Sequence, residues 1–146
     1  MAAWIPALVW GAAVTTAAQV PAGGEFPVNS FTTGPQYYPH AVMDRRGGFV
    51  MVWGSFRGQG PLSDIVGQRF AAAGDRRGTE FVVNAYTLGN QGLRPGDRPL
   101  AAFSDGRFMV AWTSQQPIPG DQYNVFARRF AASGAAVDSD TRVHRE

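Results

Sequence analysis

Apolar side chains occupy both faces of a strand that the sequence predicts at residues 49–55. In the run Phe49-Val50-Met51-Val52-Trp53, successive side chains point to opposite faces of a strand, and every position is apolar. An apolar-leaning run at 38–43 precedes it, and the polar turn Asp44-Arg45-Arg46-Gly47-Gly48 lies between the two, which predicts a β-hairpin. Because both faces are apolar, we expect the sheet that contains this strand to be covered on both sides.

Short strands separated by glycine-containing turns are predicted along the rest of the chain. Alternating apolar and polar residues continue in both halves, with turn residues between the runs. The predicted strands lie at 38–43, 49–55, 65–70 and 79–84 in the first half, and at 99–104, 107–113, 124–130 and 140–144 in the second. The chain is therefore expected to be all-β.

Three sequence patterns occur twice, which predicts an internal repeat. They pair Glu25-Phe26-Pro27-Val28-Asn29 with Glu80-Phe81-Val82-Val83-Asn84, Gly48-Phe49-Val50-Met51-Val52-Trp53 with Gly106-Arg107-Phe108-Met109-Val110-Ala111-Trp112, and residues 68–74 with residues 128–134. Equivalent residues are roughly 60 positions apart, a period that suits a unit made of one small sheet. The related segment at 140–144 closes the second unit, so the segment at 25–29 is predicted to be one further outer strand.

Four short strands per unit, with a second strand that is apolar on both faces, are typical of β-propeller blades. We predict two four-stranded β-propeller-type blades plus an extra N-terminal outer strand, with that strand and the first blade at 25–84 and the second blade at 85–146. The main alternative is a two-sheet β-sandwich, which also buries alternating faces. A stacked β-solenoid is disfavoured, because its coils are shorter and carry fewer aromatic residues.

The consecutive patterns Gly-Gly-Phe-Val-x-Val-Trp-x-Ser, Gln-Arg-Phe-x-x-x-Gly and Gly-x-Glu-Phe-x-Val-Asn, at 47–55, 68–74 and 78–84, resemble a repeat of large extracellular and cell-surface proteins of bacteria. The resemblance covers residues 25–134 and implies propeller-like blades and an exported protein, but no single activity. In that family the loop after the tryptophan strand is often rich in Asp and Gly, which suggests a calcium role. The loops here do not match the acidic version, so no cofactor is predicted.

Residues 1–18 have the features of a secretory signal peptide. The stretch from Ala3 to Val14 is apolar, and Thr16 and Ala18 stand at the −3 and −1 positions of a cleavage site. The missing basic residue at the start and the proline within the apolar stretch count against this interpretation. A membrane anchor is disfavoured, because polar residues interrupt the segment before it reaches the length of a span. We therefore predict a secreted or cell-surface protein with no stable membrane span.

Composition argues against several kinds of site. The chain has no cysteine, which removes disulfides, thiolate metal ligands and cysteine nucleophiles. Its net charge is only +2 and its arginines are scattered among acidic residues, so nucleic acid is not expected as a partner. His40 and His144 have no histidine counterparts in the other unit and show no metal-ligand spacing. No metal site and no catalytic residue are predicted.

Trp53 and Trp112 are predicted to belong to an apolar core. Aromatic rings can stack on sugars, which is the functional alternative for both residues. Each tryptophan, however, is in phase with the other large apolar residues of its strand, and this pattern favours burial between layers.

The acidic residues Glu25, Glu80 and Asp140 are predicted to be structural. They recur at one position of the repeat, whereas a pair of catalytic carboxylates normally occurs once per protein. We expect them to pair with Arg69 or Arg129, or to close a turn.

The two loops after the tryptophan strands carry the candidate ligand-binding residues. These loops differ from each other while the strands repeat, and loops on a rigid scaffold commonly carry function. Ordinary surface variation is the alternative explanation. The candidates are Arg57, Gln59, Asp64, Gln115, Gln116, Asp121 and Tyr123.

The sequence thus predicts an exported repeat protein or fragment that acts as a binding or scaffold module, with no catalysis identified. Two blades do not close a ring, since propellers usually have about four to eight. Either the repeats continue in a longer product, or the chain is a lectin-like subunit that closes a propeller by homo-oligomerisation, with a glycan or a surface protein as partner. The propeller portion of a secreted hydrolase is a third alternative, for which the sequence supplies no nucleophile, metal set or acid and base.

Overall fold

All regular secondary structure in the described part of the chain is β. A computed structural model describes residues 23–57, 62–119 and 122–143, so the predicted signal peptide lies outside the described residues. The strands are β1 (Gln36–Met43), β2 (Phe49–Ser55), β3 (Asp64–Phe70), β4 (Arg76–Val82), β5 (Gln91–Gly92), β6 (Leu100–Ala102), β7 (Phe108–Ser114), β8 (Asn124–Phe130) and β9 (Thr141–Arg142). The all-β prediction is confirmed. Across these three ranges, no helix has the length and apolar character needed to cross a membrane.

The strands form two antiparallel sheets that pack on each other. The first sheet has the order β1-β2-β3-β4, and the second has the order β5-β7-β8-β9, with β6 also paired to β7. Together, β5 and β6 lie beside β7 as β1 lies beside β2. Neither sheet of the described residues closes on itself, and this architecture agrees with the sandwich alternative.

The first strand of the second sheet is interrupted, which the sequence pattern did not predict. β1 is a single strand with an irregularity between Tyr37 and His40. In the second sheet, residues 93–99 leave the edge between β5 and β6, and Leu93 enters the apolar core. The Asp97 carboxylate accepts a hydrogen bond from the backbone N–H of Arg94 at 2.9 Å and closes this excursion. The predicted strand at 99–104 is therefore reduced to three residues.

Each sheet has two different faces. In the first sheet, Phe49, Met51 and Trp53 of β2 lie on what we call the tryptophan face, and the opposite face, which carries Val50 and Val52, is the valine face. In the second sheet, Phe108, Val110 and Trp112 of β7 lie on the tryptophan face. The valine face of the second sheet includes Val125, which is paired with Thr113, and Val143, whose N–H bonds to Val125.

Unlike faces of the two sheets meet in the core. Val50 and Val52 of the first sheet share one apolar cluster with Val110 and Trp112 of the second. Phe81 in β4 reaches across this interface, with its ring centroid 6.0 Å from that of Phe108 and 5.5 Å from that of Phe130. Both tryptophans are buried, and Trp112 lies in this core as predicted. Trp53 does not lie between layers, because it is on the opposite face of the first sheet, which no second sheet of the described residues covers.

The predicted outer strand at Glu25–Asn29 is not a strand in the structure. No strand of the described residues pairs with it, so its backbone makes no strand-to-strand hydrogen bonds. The segment is instead attached to the first sheet by side chains. The Arg76 guanidinium donates to the carbonyl oxygens of residues 27, 28 and 29, and the ring of Phe26 lies 5.6 Å from that of Phe70.

The outer strands of the two sheets differ from the predicted bounds. β4 begins at Arg76, because the turn after β3 is only five residues long and closes with a hydrogen bond from the N–H of Ala71 to the carbonyl of Asp75 at 2.8 Å. Gly78 lies within the strand at φ 75°, although the predicted strand begins only at residue 79. β9 is two residues long, shorter than predicted, and His144 lies outside the described residues.

Replacing Gly67 with alanine is expected to lower the free energy of unfolding by about 1–2 kcal/mol. A Cβ atom at Gly67 would lie 2.6 Å from Cζ of Phe81, so the ring would have to leave its place in the core. Urea unfolding measures the change. Gly24→Ala is the control, because a Cβ there meets no atom within 4 Å. Equal effects of the two substitutions would contradict this packing.

Candidate functional site

The candidate loop residues lie near one end of the two sheets, where β2 and β7 end and β3 and β8 begin. The structure describes five of the seven, and Gln59 and Asp121 lie outside the described residues. The five do not form one cluster. Arg57 and Asp64 take part in structural contacts of the first sheet, whereas Gln115 and Tyr123 contact each other beside the second sheet.

Arg57 is engaged in an ion pair inside the protein. Its guanidinium donates to the carboxylate of Glu80 and lies 5.3 Å from the centre of the Phe31 ring. The ion pair ties the loop after β2 to β4, and the contact with Phe31 holds the segment before β1 against the first sheet. We therefore assign Arg57 to the scaffold and not to a ligand site.

Glu80 forms the carboxylate link, which joins the segment before β1 to the first sheet. Its carboxylate accepts hydrogen bonds from the backbone N–H groups of Ser30 and Phe31, in addition to the bond from Arg57. Burial alone raises the pKa of Glu80, but the N–H donors and the arginine outweigh it and hold the pKa below its ordinary value of 4.5. The group is therefore held as a carboxylate.

Asp140 makes the equivalent link between the two sheets. Its carboxylate accepts hydrogen bonds from the N–H groups of Ala85 at 2.8 Å and Tyr86 at 3.2 Å, and it lies 3.8 Å from the Arg128 guanidinium. The structural role predicted for Glu80 and Asp140 agrees with these contacts. The predicted arginine partners were wrong, because Arg69 donates to the carbonyl of Ala132 and Arg129 pairs with Asp138.

Asp64 supports a buried amide. It accepts a hydrogen bond from Nδ2 of Asn84 at 2.7 Å, and Oδ1 of Asn84 accepts from the N–H of Ile65 at 2.8 Å. Nδ2 of Asn84 also donates to the carbonyl of Tyr86 at 3.0 Å. Asn84 is buried, so these bonds satisfy a polar group that would otherwise be costly. Asp64 is thus part of the scaffold as well.

Gln115 and Tyr123 form a partly exposed polar chain with Asn90, which we call the amide chain. Nδ2 of Asn90 donates to Oε1 of Gln115 at 2.8 Å, and Nε2 of Gln115 donates to the hydroxyl of Tyr123 at 2.9 Å. Oδ1 of Asn90 accepts from the N–H of Ser63 at 3.3 Å, so three loops meet here. Tyr123 is 58 % exposed. This cluster is the part of the predicted site that the structure brings together.

Gln116 is next to the amide chain in sequence, and Asn90 is the member of that chain that the sequence did not identify. Gln116 uses its backbone N–H to bond the Ser114 hydroxyl at 3.0 Å. Asn90 was not among the sequence candidates, because it precedes the two-residue strand β5, which no apolar pattern marked.

Gln36 and Gln91 anchor the two tryptophans. The indole N–H of Trp53 donates to Oε1 of Gln36 at 2.8 Å, and that of Trp112 donates to Oε1 of Gln91 at 3.0 Å. A buried indole N–H needs such an acceptor, so both rings are fixed within the scaffold. Trp112 is therefore not presented for stacking on a ligand, and Trp53, though buried, lines one hollow of the surface.

Two hollows lie away from the amide chain. A cleft of about 210 Å³ lies between the turn ends of the two sheets and includes Asp44, Arg69 and Asp105 in its lining. A cavity of about 230 Å³ lies on the tryptophan face of the first sheet, beside Met51 and Trp53. In the cleft, burial and the neighbouring Arg77 lower the pKa of Arg69.

The described residues offer no assembled metal site. Over the three described ranges, no three histidine or acidic side chains gather as ligands. The carboxylates of Asp138 and Asp140 face Arg129 and Arg128, respectively. Hydrogen bonds from the N–H and the side chain of Arg129 lower the pKa of Asp138.

Neither a protein-family model, nor a curated protein, nor a solved structure matches this chain. The site is therefore interpreted from its own geometry.

Proposed function

We propose that this chain is an exported repeat protein of the β-propeller type, or part of one, that acts as a binding or scaffold module without catalysis. The observation that carries the proposal is the carboxylate link, which occurs twice with the same geometry. Glu80 binds the two N–H groups that follow Asn29, and Asp140 binds the two that follow Asn84. Each unit is thus joined to the segment before it in the same way.

The packing of unlike faces supports successive units more than a symmetric sandwich. Two copies of one sheet related by a two-fold axis would bring like faces together, whereas head-to-tail repetition brings unlike faces together. Here the valine face of the first sheet meets the tryptophan face of the second. The contact of Phe26 with Phe70 before the first sheet has the same form as that of Phe81 with Phe130 between the sheets.

A lectin-like role is the second candidate, and the amide chain favours it. Side-chain amides pair with hydroxyl groups as donor and acceptor, and an exposed tyrosine offers both a ring face and a hydroxyl. Gln115 and Tyr123 present these groups together and carry no charge. A neutral polar ligand such as a glycan suits this surface better than an anion or a cation.

The two candidates are tested by a glycan array and a panel of hydrolase substrates on the purified protein. We expect binding without turnover. Tyr123→Ala is expected to weaken glycan binding about tenfold, which corresponds to the loss of one aromatic contact of about 1.4 kcal/mol. Phe103→Ala is the matched control, because Phe103 is also exposed but lies in the turn between β6 and β7. Hydrolysis of any panel substrate would contradict the non-catalytic role, and binding unchanged by Tyr123→Ala would contradict the site.

A further inference from the structure

We infer that the valine face of the second sheet docks onto the tryptophan face of the first sheet of another copy of this chain. The inference rests on the proposed repeat arrangement. It concerns an interface between copies and is independent of the ligand at the amide chain.

Equivalent apolar side chains are buried on one sheet and exposed on the other. Ile65 and Val83 lie on the valine face of the first sheet and are 0 % exposed, because the second sheet packs there. Their counterparts, Val125 and Val143, are 40 % and 61 % exposed. The two pairs are equivalent by register, since the N–H of Val83 bonds to Ile65 at 2.8 Å and that of Val143 to Val125 at 2.9 Å.

The complementary surface lies on the other side of the same molecule. The tryptophan face of the second sheet is buried against the first, whereas that of the first sheet keeps a cavity of about 230 Å³ beside Met51 and Trp53. The rest of its lining is mainly apolar and consists of Val28, Asn29, Gln36, Tyr37 and Pro39. The apolar side chains of a valine face would fill this space, and both surfaces would be removed from contact with water.

The interface inside the chain shows what fits a valine face. Within one chain, the valine face of the first sheet packs against the tryptophan face of the second sheet. A second copy would offer another tryptophan face, that of its first sheet, to the exposed valine face. Because the two surfaces are different and lie on one chain, the association is head-to-tail, so it either closes a ring or continues. Because the valine face already packs on a tryptophan face within the chain, we identify the partner of the exposed valine face as a second copy.

Docking requires one short segment to move. By the equivalence of Phe26 with Phe81 and Asn29 with Asn84, Val28 of one copy takes the place that Val143 of the other would need. The two residues of β9 pair with Phe126 and Ala127 of β8, and the N–H of Val143 adds a bond to Val125. Arg76 binds three carbonyl oxygens of the segment at 27–29, and Phe26 of that segment also packs on Phe70. We therefore expect residues 141–143 to move and Val28 of the other copy to take the place of Val143 on the docked valine face.

Sedimentation over a range of concentrations tests the interface with two single substitutions on opposite surfaces. Wild-type protein is expected to give a mass of two or more chains. Val125→Asp places a charge on the valine face, and Met51→Glu places one beside the cavity, so each variant alone is expected to sediment as one chain. Each keeps one intact surface, so an equimolar mixture of the two is expected to regain a dimer with one copy of each.

Leu88→Asp is the matched control, because Leu88 is exposed in the loop between β4 and β5, and it should leave association unchanged. If circular dichroism shows that Met51→Glu does not fold, Pro39→Asp at the exposed rim of the same cavity replaces it. A wild-type protein that stays a single chain would overturn the inference, as would association that survives Val125→Asp or mixed variants that do not combine. If the protein stays a single chain but still binds glycans, the interface is wrong and the proposed function stands. If the protein associates but binds no glycan, the interface stands and the lectin-like role is wrong.

Discussion

Phe108→Ala is expected to lower the free energy of unfolding by about 3–5 kcal/mol, the largest effect of any single substitution considered for this protein. The Phe108 ring is fully buried between the sheets, stacked on Phe130 at 4.9 Å and in contact with Phe81 at 6.0 Å. Its removal leaves a cavity in the one core that joins the two sheets. Domains are commonly stable by about 5–15 kcal/mol, so this loss is a large fraction of the total.

Phe49→Ala is the matched control for this prediction. Phe49 occupies the same position of the first sheet and stacks on Phe70 at 4.7 Å, with the same pairing of strands beneath it. It is only half-buried, because no second sheet of the described residues covers that face. We expect its loss to be smaller by about 2 kcal/mol. Urea unfolding with unchanged m-values measures both losses, and equal losses would show that the interface between the sheets is not the main source of stability.

Glu80→Gln is expected to lower the free energy of unfolding at neutral pH by about 2–3 kcal/mol. The carboxylate is buried and accepts bonds from the N–H groups of Ser30 and Phe31 and from Arg57. An amide in its place loses the charge that all three donors face. Arg57 then keeps its charge in a half-buried position without its partner.

The effect of Glu80→Gln should depend on pH with a definite sign. The folded protein holds the pKa of Glu80 below 4.5, so the stabilisation is fully present above that value. As the pH falls below 4.5 the unfolded chain takes up the proton first, and the stabilisation is lost as the pH passes through the lower pKa of the folded state. The difference between wild type and variant should therefore shrink on acidification. Asp105 and Asp138, whose pKa values are also lowered, act alike in both proteins.

Asp105→Asn is the control for Glu80→Gln. Asp105 also pairs with an arginine, at 2.7 Å from Nε of Arg107, but both side chains are exposed. Exposed ion pairs contribute little, because water and salt screen them. We expect no measurable change at neutral pH. A loss as large as that of Glu80→Gln would show that burial is not what makes the carboxylate link strong.

The inner strands of each sheet were predictable because each carries a strong local signal. β2, β3, β7 and β8 lie within one residue of their predicted bounds, since apolar alternation and flanking glycines mark them clearly. The short strands were not predictable in the same way. β5 has two residues, and it exists because it pairs with the end of β7, a contact that no local pattern encodes.

The candidate site shows the same difference between what local sequence predicts and what only the fold decides. Gln115 and Tyr123 were found as polar residues in variable loops, but their contact with Asn90 depends on three loops meeting in space. Arg57 and Asp64 looked equally available in sequence. They are scaffold residues because Glu80 and Asn84, which are distant along the chain, lie beside them in the fold.

The sequence by itself determined that this protein is all-β, with two similar sets of strands, and that its tryptophans are buried. It could do so because alternating apolar residues along a strand and glycines at turns are local features of the sequence. The tertiary structure decided how the two sets meet. It placed the valine face of the first sheet against the tryptophan face of the second and left Val125 and Val143 exposed. It also turned the predicted strand at 25–29 into a segment held by Arg76 and Glu80, because a strand needs a neighbouring ladder and the described residues provide none there.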